Sequence, residues 1–383
     1  MRKIAVVVGS RANYSSIKSA MRAIQSRSDL ELQVVVCASA LLDRYGSVVD
    51  LIEKDGFRPS AKVHMLVEGE TPATMAKSTG LGLLELPTVF EQLKPDIVLT
   101  VGDRFETMAT TLAAAYMNIP LAHTMGGEIS GTIDESIRHA VTKFAHIHFP
   151  ACSEAAERII KMGERPEDVH LVGCPRIDLV AEISKQNLDG IGGELFHEGV
   201  GGEFDLRKPF VIVSQHPVTT EYGQGEQHVT ETLTAVHRLK IPAIVLWPNA
   251  DAGSEQMAQG IRKFRERLQP AQFHFFKNIP FETYIQLMKH AGCLVGNSSA
   301  AIREGAFLGL PSVNVGTRQQ GRQRGSNVLD VGYNQSAIAD AVGQQLKRGR
   351  YPSESIYGSG NAGERIAQVL ATCTVRVQKQ INY

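Results

Sequence analysis

Ionisable side chains are concentrated in one stretch of the sequence, HTMGGEISGTIDESIRH, at residues 123–139. Glu128 and Asp134 are separated there by a glycine-containing turn, so the two carboxylates can occupy different surroundings and hold different protonation states. General acid–base catalysis near neutral pH requires such a difference. The structural alternative gives Asp134 a favourable charge at the start of a helix and places Arg138 on the solvated face of that helix.

A second polar group follows the apolar run at residues 96–101, in the motif GDRFE. Asp103, Arg104 and Glu106 come directly after this run, at the point where α/β proteins place the polar side chains of their sites. Either carboxylate is therefore a candidate for catalysis. Alternatively, Asp103 caps the next helix and forms an ion pair with Arg104.

A candidate anion site lies at residues 295–304, VGNSSAAIRE. An apolar run delivers Ser298 and Ser299 to the start of a helix predicted over 300–308, where unpaired N–H groups and the helix dipole favour a phosphate. Glu304 lies about 7.5 Å further along such a helix, a distance that suits a ribose diol. Phosphate and sugar together indicate a nucleotide, whereas serines that only cap the helix are the structural alternative.

Further cationic or titratable side chains follow other predicted strands. Arg11 lies in GSRANYSS, which departs from the dinucleotide-binding pattern G-x-G-x-x-G. His216 lies in SQHPVTTE, and the loop GTRQQGRQRG carries Arg318, Arg322 and Arg324, whose charges could balance a diphosphate. The alternatives are a surface arginine at position 11, a buried histidine bonded to backbone, and a solvated basic loop.

No metal site is expected. The histidines lack the H-x-x-x-H spacing of a helical zinc site, and no C-x-x-C pair is present. The five cysteines are more than twenty residues apart in sequence: Cys37, Cys152, Cys174, Cys293 and Cys373. We therefore expect reduced thiols, as in a cytoplasmic protein.

Composition argues against nucleic acid and membrane partners. The 40 Lys and Arg residues are balanced by 40 Asp and Glu residues, so no net charge favours a polyanion or an anionic membrane surface. No uninterrupted apolar run reaches the roughly 18 residues of a membrane helix. The apolar run near the N-terminus is shorter than a signal-peptide core. The sequence predicts a soluble protein.

Short apolar runs rich in valine and isoleucine alternate with amphipathic stretches, a pattern typical of parallel sheets covered by helices. One helix is marked at both ends, because Pro72 suits a first helical turn and Pro95 cannot continue the helix. The glycine-rich segment 184–208 interrupts the alternation and is interpreted as a linker. We predict an α/β protein of two doubly wound domains, with sites at the carboxyl ends of strands.

Several motifs spread over nearly the whole chain resemble those of one family: GSRANYSS, GDRFE, GGEISGTIDESIRHAVTKFAH, GCPRID, QHPVTT, PNADAGS, HAGCLVGNSS, GTRQQGR and IYGSGNA. They are similar to the UDP-N-acetylglucosamine 2-epimerases, specifically the hydrolysing branch that makes N-acetylmannosamine for sialic acid synthesis. The resemblance implies a glycosyltransferase-B-like fold, in which two Rossmann-like domains face a central cleft. The first domain is expected at 1–183, the second at 209–360, and a terminal helix at 361–383 returns to the first.

The resemblance also implies catalytic roles. Asp103, Glu128 and Asp134 would be the acid–base carboxylates, and His216 would act with them. The chain departs from the family pattern at Met125, where many relatives carry a carboxylate immediately before the Gly-Gly pair. The proton transfers would then fall on the other carboxylates.

A UDP-sugar is the partner that the resemblance implies. Glu304 would hold the ribose hydroxyls, and the backbone at residues 277–279 would hold the uracil. The residues implied to contact the UDP moiety are Arg11, Ala12, Ser15, Arg104, His216, Asn249, Lys277, Asn278, Ile279, Ser298, Ser299, Glu304 and Arg318. No cofactor is implied, since the reaction eliminates UDP to form 2-acetamidoglucal and then adds water. A homodimer or homotetramer is expected by family analogy.

Three alternatives remain at this stage. A hydrolysing 2-epimerase of a UDP-2,4-diacetamido-2,4,6-trideoxy sugar, on the route to legionaminic acid, would show the same motifs. A retaining glycosyltransferase would share the fold and the leaving group but transfer the sugar to a hydroxyl. A non-catalytic sensor of nucleotide sugars would bind UDP without turnover, although it has no need of several carboxylates.

Overall fold

The computed structural model of the protein describes residues 1–68, 71–129, 133–186, 195–248 and 253–382. Contacts between residues divide the chain into two compact units. Unit 1 comprises Met1–Ile129, Ile133–Leu179 and Tyr357–Tyr383, and unit 2 comprises Val180–Ile356. Unit 1 is therefore assembled from segments that are distant in sequence.

Strands and helices alternate along the described chain, as the apolar pattern predicts. The strands are β1 (Arg2–Val8), β2 (Leu30–Cys37), β3 (Pro59–Val63), β4 (Ile97–Val101), β5 (Leu121–Thr124), β6 (Ile147–Phe149), β7 (Val200–Gly201), β8 (Val211–Ser214), β9 (Ala243–Leu246), β10 (Phe273–Phe276), β11 (Cys293–Gly296), β12 (Ser312–Val315) and β13 (Val328–Val331). The helices are α1 (Arg11–Ser15), α2 (Lys18–Gln25), α3 (Val48–Lys54), α4 (Pro72–Leu93), α5 (Phe105–Tyr116), α6 (Ile133–Phe144), α7 (Ser153–Lys161), α8 (Pro175–Ile183), α9 (Gly225–Arg238), α10 (Ser254–Leu268), α11 (Phe281–His290), α12 (Glu304–Leu308), α13 (Gln335–Arg348) and α14 (Ala362–Thr372).

The sheet of unit 1 is parallel, with the strand order β3-β2-β1-β4-β5-β6. Alternate residues of β1 enter different apolar clusters, Ile4 and Val6 on one face and Ala5 and Val7 on the other. A strand that is buried on both faces explains the continuous apolar run in its sequence. The strand order reverses at the neighbouring pair β1 and β4, and α/β sheets bind ligands beyond the carboxyl ends of such a pair.

The last helix of the chain is anchored within unit 1 by a buried carboxylate. Oδ1 and Oδ2 of Asp178 accept hydrogen bonds from the backbone N–H groups of Ala362 at 2.9 Å and Gly363 at 2.7 Å, at the start of α14. The hydroxyl of Ser19, in α2, donates to the same carboxylate at 2.8 Å. A negative charge at a helix N-terminus is favourable, so Asp178 fixes α14 against α2.

The sheet of unit 2 has the strand order β13-β12-β11-β8-β9-β10-β7. All its strands are parallel except β7, which pairs with β10 in the antiparallel direction. β7 lies within the segment 184–208 that the glycine content indicated as a linker. The order reverses at β8 and β11, where Val213 lies opposite Val295. The second switch point of the protein is therefore at the ends of these two strands.

The helix predicted over 300–308 is interrupted. A 3₁₀ turn covers Ser299–Ala301, and α12 begins only at Glu304. The N–H groups of Ile302 and Arg303 both bond to the carbonyl of Ser299, at 3.1 and 3.0 Å, which tightens the chain there. The estimate of a distance along one continuous helix from Ser299 to Glu304 is therefore wrong.

Membrane insertion of a helix was not expected from the sequence. Within the described ranges, every helix is too short or too polar to cross a bilayer.

Candidate active site

The first turn of α5, which follows β4, packs directly onto the turn after β1. Gly9 follows β1, and a Cβ atom built on it would lie 2.3 Å from Cγ of Glu106. Glu106 is 2% exposed, and its Oε1 accepts a hydrogen bond from Nε of Arg104 at 2.9 Å. The absence of a side chain at position 9 therefore makes room for the Glu106–Arg104 pair.

Arg138 of α6 connects two of the predicted catalytic residues. Its Nη2 forms an ion pair with Oδ2 of Asp103, and its Nη1 donates to the backbone carbonyl of Glu128 at 2.6 Å. The Arg138 side chain is 4% exposed, so the expectation that it lies on a solvated helix face is wrong. The expected cap at Asp103 with an ion pair to Arg104 is also wrong, because Arg104 holds the N-cap position of α5 and pairs with Glu106.

His123, in β5, holds the turn after β4 in place. Its Nε2 lies 2.7 Å from the carbonyl of Gly102, and its Nδ1 lies 3.4 Å from the hydroxyl of Thr142. A carbonyl only accepts, so Nε2 carries the proton and Nδ1 accepts from the hydroxyl. Burial lowers the pKa of His123 to about 3. The ring is neutral at pH 7 and serves as a fixed hydrogen-bonding group.

The Gly-Gly pair before Glu128 is required by close contacts. A Cβ on Gly126 would lie 2.8 Å from Nδ1 of His123, and one on Gly127 would lie 2.3 Å from the carbonyl of Ala155. Gly127 also has a positive φ of 76°, which glycine adopts without strain. Met125 has a φ of 61°, a value uncommon for a residue with a side chain. Its side chain packs against the apolar core of unit 1.

Asp134 lies in the first turn of α6, four residues before Arg138. Residues at this spacing share one face of a helix. The structure thus joins Asp103 and Glu128 through Arg138 and places Asp134 on the same helix face as that arginine. Asp134 is half-buried, and Glu128 is 4% exposed. The two carboxylates therefore lie in different surroundings, as acid–base catalysis requires.

The short helix after β1 carries three of the residues implied to contact UDP. Arg11 and Ala12 are exposed, and Ser15 is half-buried. The hydroxyl of Ser15 donates to the carbonyl of Ala12 at 3.1 Å and accepts from Nη2 of Arg176 at 2.5 Å. Arg176, which the sequence did not single out, therefore orients this turn, and Arg11 presents its guanidinium at the surface.

In unit 2, Asn297 joins the ends of β8 and β11. Its Oδ1 accepts from the N–H of His216 at 2.7 Å, and its Nδ2 donates to the carbonyl of the same residue at 2.8 Å. The carbonyl of Asn297 accepts from Nη1 of Arg318 at 3.3 Å and from Nε2 of Gln319 at 2.9 Å. The fully buried amide thus brings His216 and Arg318 to one sheet edge.

His216 is a neutral group at this edge. Burial, with a smaller contribution from the positive charge of Arg318, lowers the pKa of His216 to about 3. The expected burial of this histidine is confirmed, and its Nε2 atom lies 3.4 Å from the hydroxyl of Ser214. A neutral imidazole beside an arginine can bond a phosphate oxygen without adding charge.

The two serines after β11 differ in their contacts. Oγ of Ser298 accepts from the N–H of Ala300 at 3.3 Å and so caps the 3₁₀ turn, as the structural alternative predicts. Both Ser298 and Ser299 are half-buried. Glu304 begins α12 and is 2% exposed. The serine hydroxyls and the buried carboxylate remain candidates for the phosphate and the ribose.

The arginines of the basic loop differ in their contacts. Nη1 of Arg322 donates to the side chain of Gln319 at 3.1 Å. Arg324 pairs with Asp330 and donates to the carbonyl of Arg322 at 3.1 Å. These two arginines stabilise the loop itself. The expectation that Arg318, Arg322 and Arg324 balance a diphosphate stays a prediction.

The residues implied to hold uracil follow β10. Lys277 and Asn278 are exposed, and Ile279 is 8% exposed. Asn249, the remaining residue implied to contact UDP, lies outside the described residues.

No group of three His, Cys, Asp or Glu side chains suited to a metal ion occurs among the residues for which coordinates are described. The sequence named Arg138 but placed it on a solvated helix face, and the roles of Arg176 and of the buried amide of Asn297 were not recognised from it. These residues lie directly after or between apolar runs, and that position was the only feature of the sequence that could have indicated a role in the site.

Comparison with known proteins gives consistent results. A family model described as UDP-N-acetylglucosamine 2-epimerase matches residues 22–371. A UDP-N,N'-diacetylbacillosamine 2-epimerase (hydrolyzing) from Legionella pneumophila is 32% identical and covers 99% of this chain and 98% of its own length. A UDP-N-acetylglucosamine 2-epimerase from Neisseria meningitidis is 30% identical, with coverage of 99% and 98%.

Solved structures match the fold. The crystal structure of UDP-GlcNAc 2-epimerase from Neisseria meningitidis bound to UDP-GlcNAc superposes with a TM-score of 0.80 at 17% identity, covering 96% of this chain and 99% of that one. The enzyme from Methanocaldococcus jannaschii in complex with UDP-GlcNAc and UDP gives a TM-score of 0.76 at 18% identity, with coverage of 96% and 99%. The predicted α/β class with two Rossmann-like domains of the glycosyltransferase-B type is confirmed.

Proposed function

The chain belongs to the UDP-N-acetylglucosamine 2-epimerase family, and we propose that it hydrolyses UDP-N-acetylglucosamine with inversion at C2 of the sugar. The products are N-acetylmannosamine and UDP. The observation that carries the proposal is the buried Arg138, which pairs with the carboxylate of Asp103 after β4 and bonds to the backbone carbonyl of Glu128 after β5. A binding protein would not need acidic residues placed together in this way.

The proposed reaction has two steps and balances without a redox cofactor. In the first, a base removes the proton on C2 while the C1–O bond to UDP breaks, which gives 2-acetamidoglucal, UDP and the protonated base. In the second, a proton adds to the opposite face of C2 and hydroxide from water adds to C1. One water molecule is consumed, and the sugar leaves as free N-acetylmannosamine.

Asp103, Glu128 and Asp134 are proposed as the groups that move these protons. The guanidinium of Arg138 favours the ionised form of Asp103, because an adjacent positive charge stabilises a carboxylate. The same arginine contacts the carboxylate of Asp103 but the backbone carbonyl of Glu128, which is 4% exposed. The two carboxylates therefore lie in different surroundings. We assign a general-base and a general-acid role within this set of three.

The residues of unit 2 are proposed to bind UDP. Arg318 supplies a positive charge, and neutral His216, Ser298 and Ser299 supply hydrogen bonds to the phosphate oxygens. Glu304 is proposed to accept the ribose hydroxyls. Stabilising the charge on the departing diphosphate lowers the barrier of the elimination step, as fixed hydrogen-bond donors do in other enzymes.

The test is to incubate the enzyme with UDP-N-acetylglucosamine in heavy water and follow UDP and the free sugar by proton NMR. The proposal predicts N-acetylmannosamine that carries deuterium at C2. Release of N-acetylglucosamine that retains its C2 proton would show simple hydrolysis and reject the elimination mechanism. Turnover only in the presence of an acceptor alcohol would indicate a glycosyltransferase.

A second candidate substrate is UDP-N,N'-diacetylbacillosamine. It is favoured by the relative from Legionella pneumophila whose name gives that substrate and which is 32% identical over 99% of this chain. The two substrates differ at C4 and C6, so kcat/KM for each separates the candidates. A pocket built for a hydroxyl discriminates strongly against an analogue that lacks it.

The product is proposed to serve the synthesis of sialic acid for a surface polysaccharide. A polysialic acid biosynthesis protein from Escherichia coli, 29% identical over 89% of this chain, supports this assignment. The enzyme is further proposed to act as a homodimer or homotetramer. Analytical ultracentrifugation of the purified protein tests the assembly, and a single species with the mass of one chain would reject it.

A further inference from the structure

Glu221 binds three side chains from distant parts of unit 2. It ends the 3₁₀ turn Thr219–Glu221, which follows β8. Its Oε1 accepts a hydrogen bond from the hydroxyl of Thr317, and its Oε2 accepts one from the hydroxyl of Tyr333 at 2.9 Å. Nδ1 of His228, in α9, lies 3.6 Å from the same Oε2. The carboxylate therefore ties the turn after β8 to the loop after β12.

Tyr333 packs closely against both His228 and Gly316. The ring of His228 stacks on it with the centroids 3.4 Å apart and the planes 3° from parallel. On the backbone of Gly316, which has a φ of 81°, a Cβ would lie 2.2 Å from the hydroxyl of Tyr333. Burial, and then the hydrogen bond to Glu221, raises the pKa of Tyr333, so its hydroxyl keeps the proton that it donates.

The contact with Thr317 lies next to the residue proposed to bind the diphosphate. Thr317 directly precedes Arg318 and Gln319, both of which bond to the carbonyl of Asn297. The loop is thus fixed at two points, by Glu221 on one side of the Arg318 backbone and by Asn297 on the other. Thr317 itself is exposed, so apolar packing does not account for its position.

We propose that Glu221 is a positioning residue that holds Arg318 in its diphosphate-binding place before UDP arrives. The inference rests on the proposed function, since it takes Arg318 as a ligand of the diphosphate. Glu221 acts only through the loop. If the Arg318 side chain is already held in place, less conformational entropy is lost when UDP binds. The effect of Glu221 is therefore expected in the affinity for UDP.

A double-mutant cycle on UDP binding tests the proposal. Glu221→Gln keeps the shape of the side chain but loses the charge-assisted bond to Thr317, and we expect it to weaken UDP binding about tenfold, as loss of such a bond typically does. In the Arg318→Ala background, the same substitution is expected to weaken UDP binding less than about twofold, because there is no arginine left to position. Isothermal titration calorimetry with UDP measures both.

A purely structural role would give a different result. Glu221→Gln would then lower the affinity for UDP by the same factor in both backgrounds, and that outcome would overturn the proposal. The midpoint of urea unfolding, measured on all four proteins, separates stability from binding, since a stability loss is expected to be equal in both backgrounds. A wild-type chain that fails to bind UDP would reject the proposed function itself.

Two further variants make the test independent of folding problems at position 221. Thr317→Val removes the donor hydroxyl from an exposed side chain, and it is expected to reproduce the loss of UDP affinity; unchanged affinity in this variant would contradict the proposal. Glu226→Gln is the matched control. Glu226 lies in the first turn of α9, is 40% exposed and pairs with Lys263 at 2.7 Å, so its loss is expected to leave UDP binding unchanged.

Discussion

Arg138 and Asp103 form an ion pair whose two members are unequally buried, at 4% and 26% exposure. The arginine has almost no contact with solvent, and the carboxylate compensates its charge. Asp103 can still reach a ligand while it holds that partner. The pair therefore has both a structural and a proposed catalytic role, which substitutions at the two positions can separate.

Substitution of Arg138 tests the structural role. Arg138→Gln leaves Asp103 without its cation and frees the carbonyl of Glu128, so we expect a loss of about 3 kcal/mol in the free energy of unfolding and at least a tenfold loss of turnover. Urea unfolding and UDP release measure the two effects. Arg165→Gln is the control, because the Arg165–Asp168 pair is 29% and 27% exposed and is expected to contribute less than about 1 kcal/mol. Full turnover in Arg138→Gln would contradict the proposed link.

Substitution of the carboxylates tests the catalytic role. Asp103→Asn and Asp134→Asn are each expected to abolish UDP release while UDP affinity stays within about twofold, because neither residue is proposed to bind the nucleotide. Steady-state assays and calorimetry with UDP provide the two readings. Glu135→Gln is the neighbouring control, since Glu135 lies next to Asp134 in α6 and no role in proton transfer is proposed for it. An active asparagine variant would remove that residue from the proton-transfer steps.

Alanine at the Gly-Gly turn tests the close packing before Glu128. Gly127→Ala forces a Cβ to within 2.3 Å of the carbonyl of Ala155 at a positive φ. We expect a loss of at least about 2 kcal/mol in stability, together with reduced turnover as Glu128 is displaced. Gly80→Ala, in α4 with open space around the added atom, is expected to stabilise the protein by up to about 1 kcal/mol. Equal effects of both substitutions on the urea midpoint would contradict the packing argument.

Acid stability depends on a buried carboxylate in unit 1. Burial alone would raise the pKa of Glu164, but hydrogen bonds from His148, Lys143 and Lys379 outweigh it and lower the pKa from 4.5 to about 2. Because the folded-state pKa lies below the unfolded value, this stabilisation is complete above about pH 4.5 and is lost as the pH falls toward 2. Its size is about 3 kcal/mol.

The variant Glu164→Gln separates this contribution from general acid unfolding. It is expected to be less stable than the wild type at pH 7 and to lose less further stability between pH 5 and pH 3, as followed by urea unfolding monitored by circular dichroism. Glu167→Gln is the control, since Glu167 is 65% exposed and pairs with Arg165 at 3.4 Å. Parallel pH profiles for the wild type and Glu164→Gln would reject the assignment.

The sequence predicted the elements well where local chemistry decides them. α4 runs from Pro72 to Leu93, with Thr71 as its cap and Lys94 in a left-handed conformation before Pro95, close to the boundaries that the two prolines indicated. The placing of candidate residues at the ends of strands also followed from pattern alone. Parallel sheets bring those ends to one edge whatever the details of packing.

The partners of those residues could not be predicted. Whether Asp103 meets Arg104 or Arg138 depends on how α6 lies against two turns, a contact between residues 35 positions apart. The buried amide of Asn297 depends likewise on β8 and β11 being neighbours, which only the strand order decides. The interruption of the helix after Ser299 reflects local backbone bonding that periodicity does not report.

The cap that Asp178 provides for α14 joins the end of the chain to unit 1, which predicts an order of folding during biosynthesis. During translation, every residue of unit 2 leaves the ribosome before α14 is synthesised. Unit 1 needs α14 to cover its apolar face. Although unit 1 begins first, we expect it to acquire its native contacts last, after unit 2 has completed its own core. Nascent chains stalled before α14 should therefore protect unit 2 from protease while unit 1 remains open to cleavage.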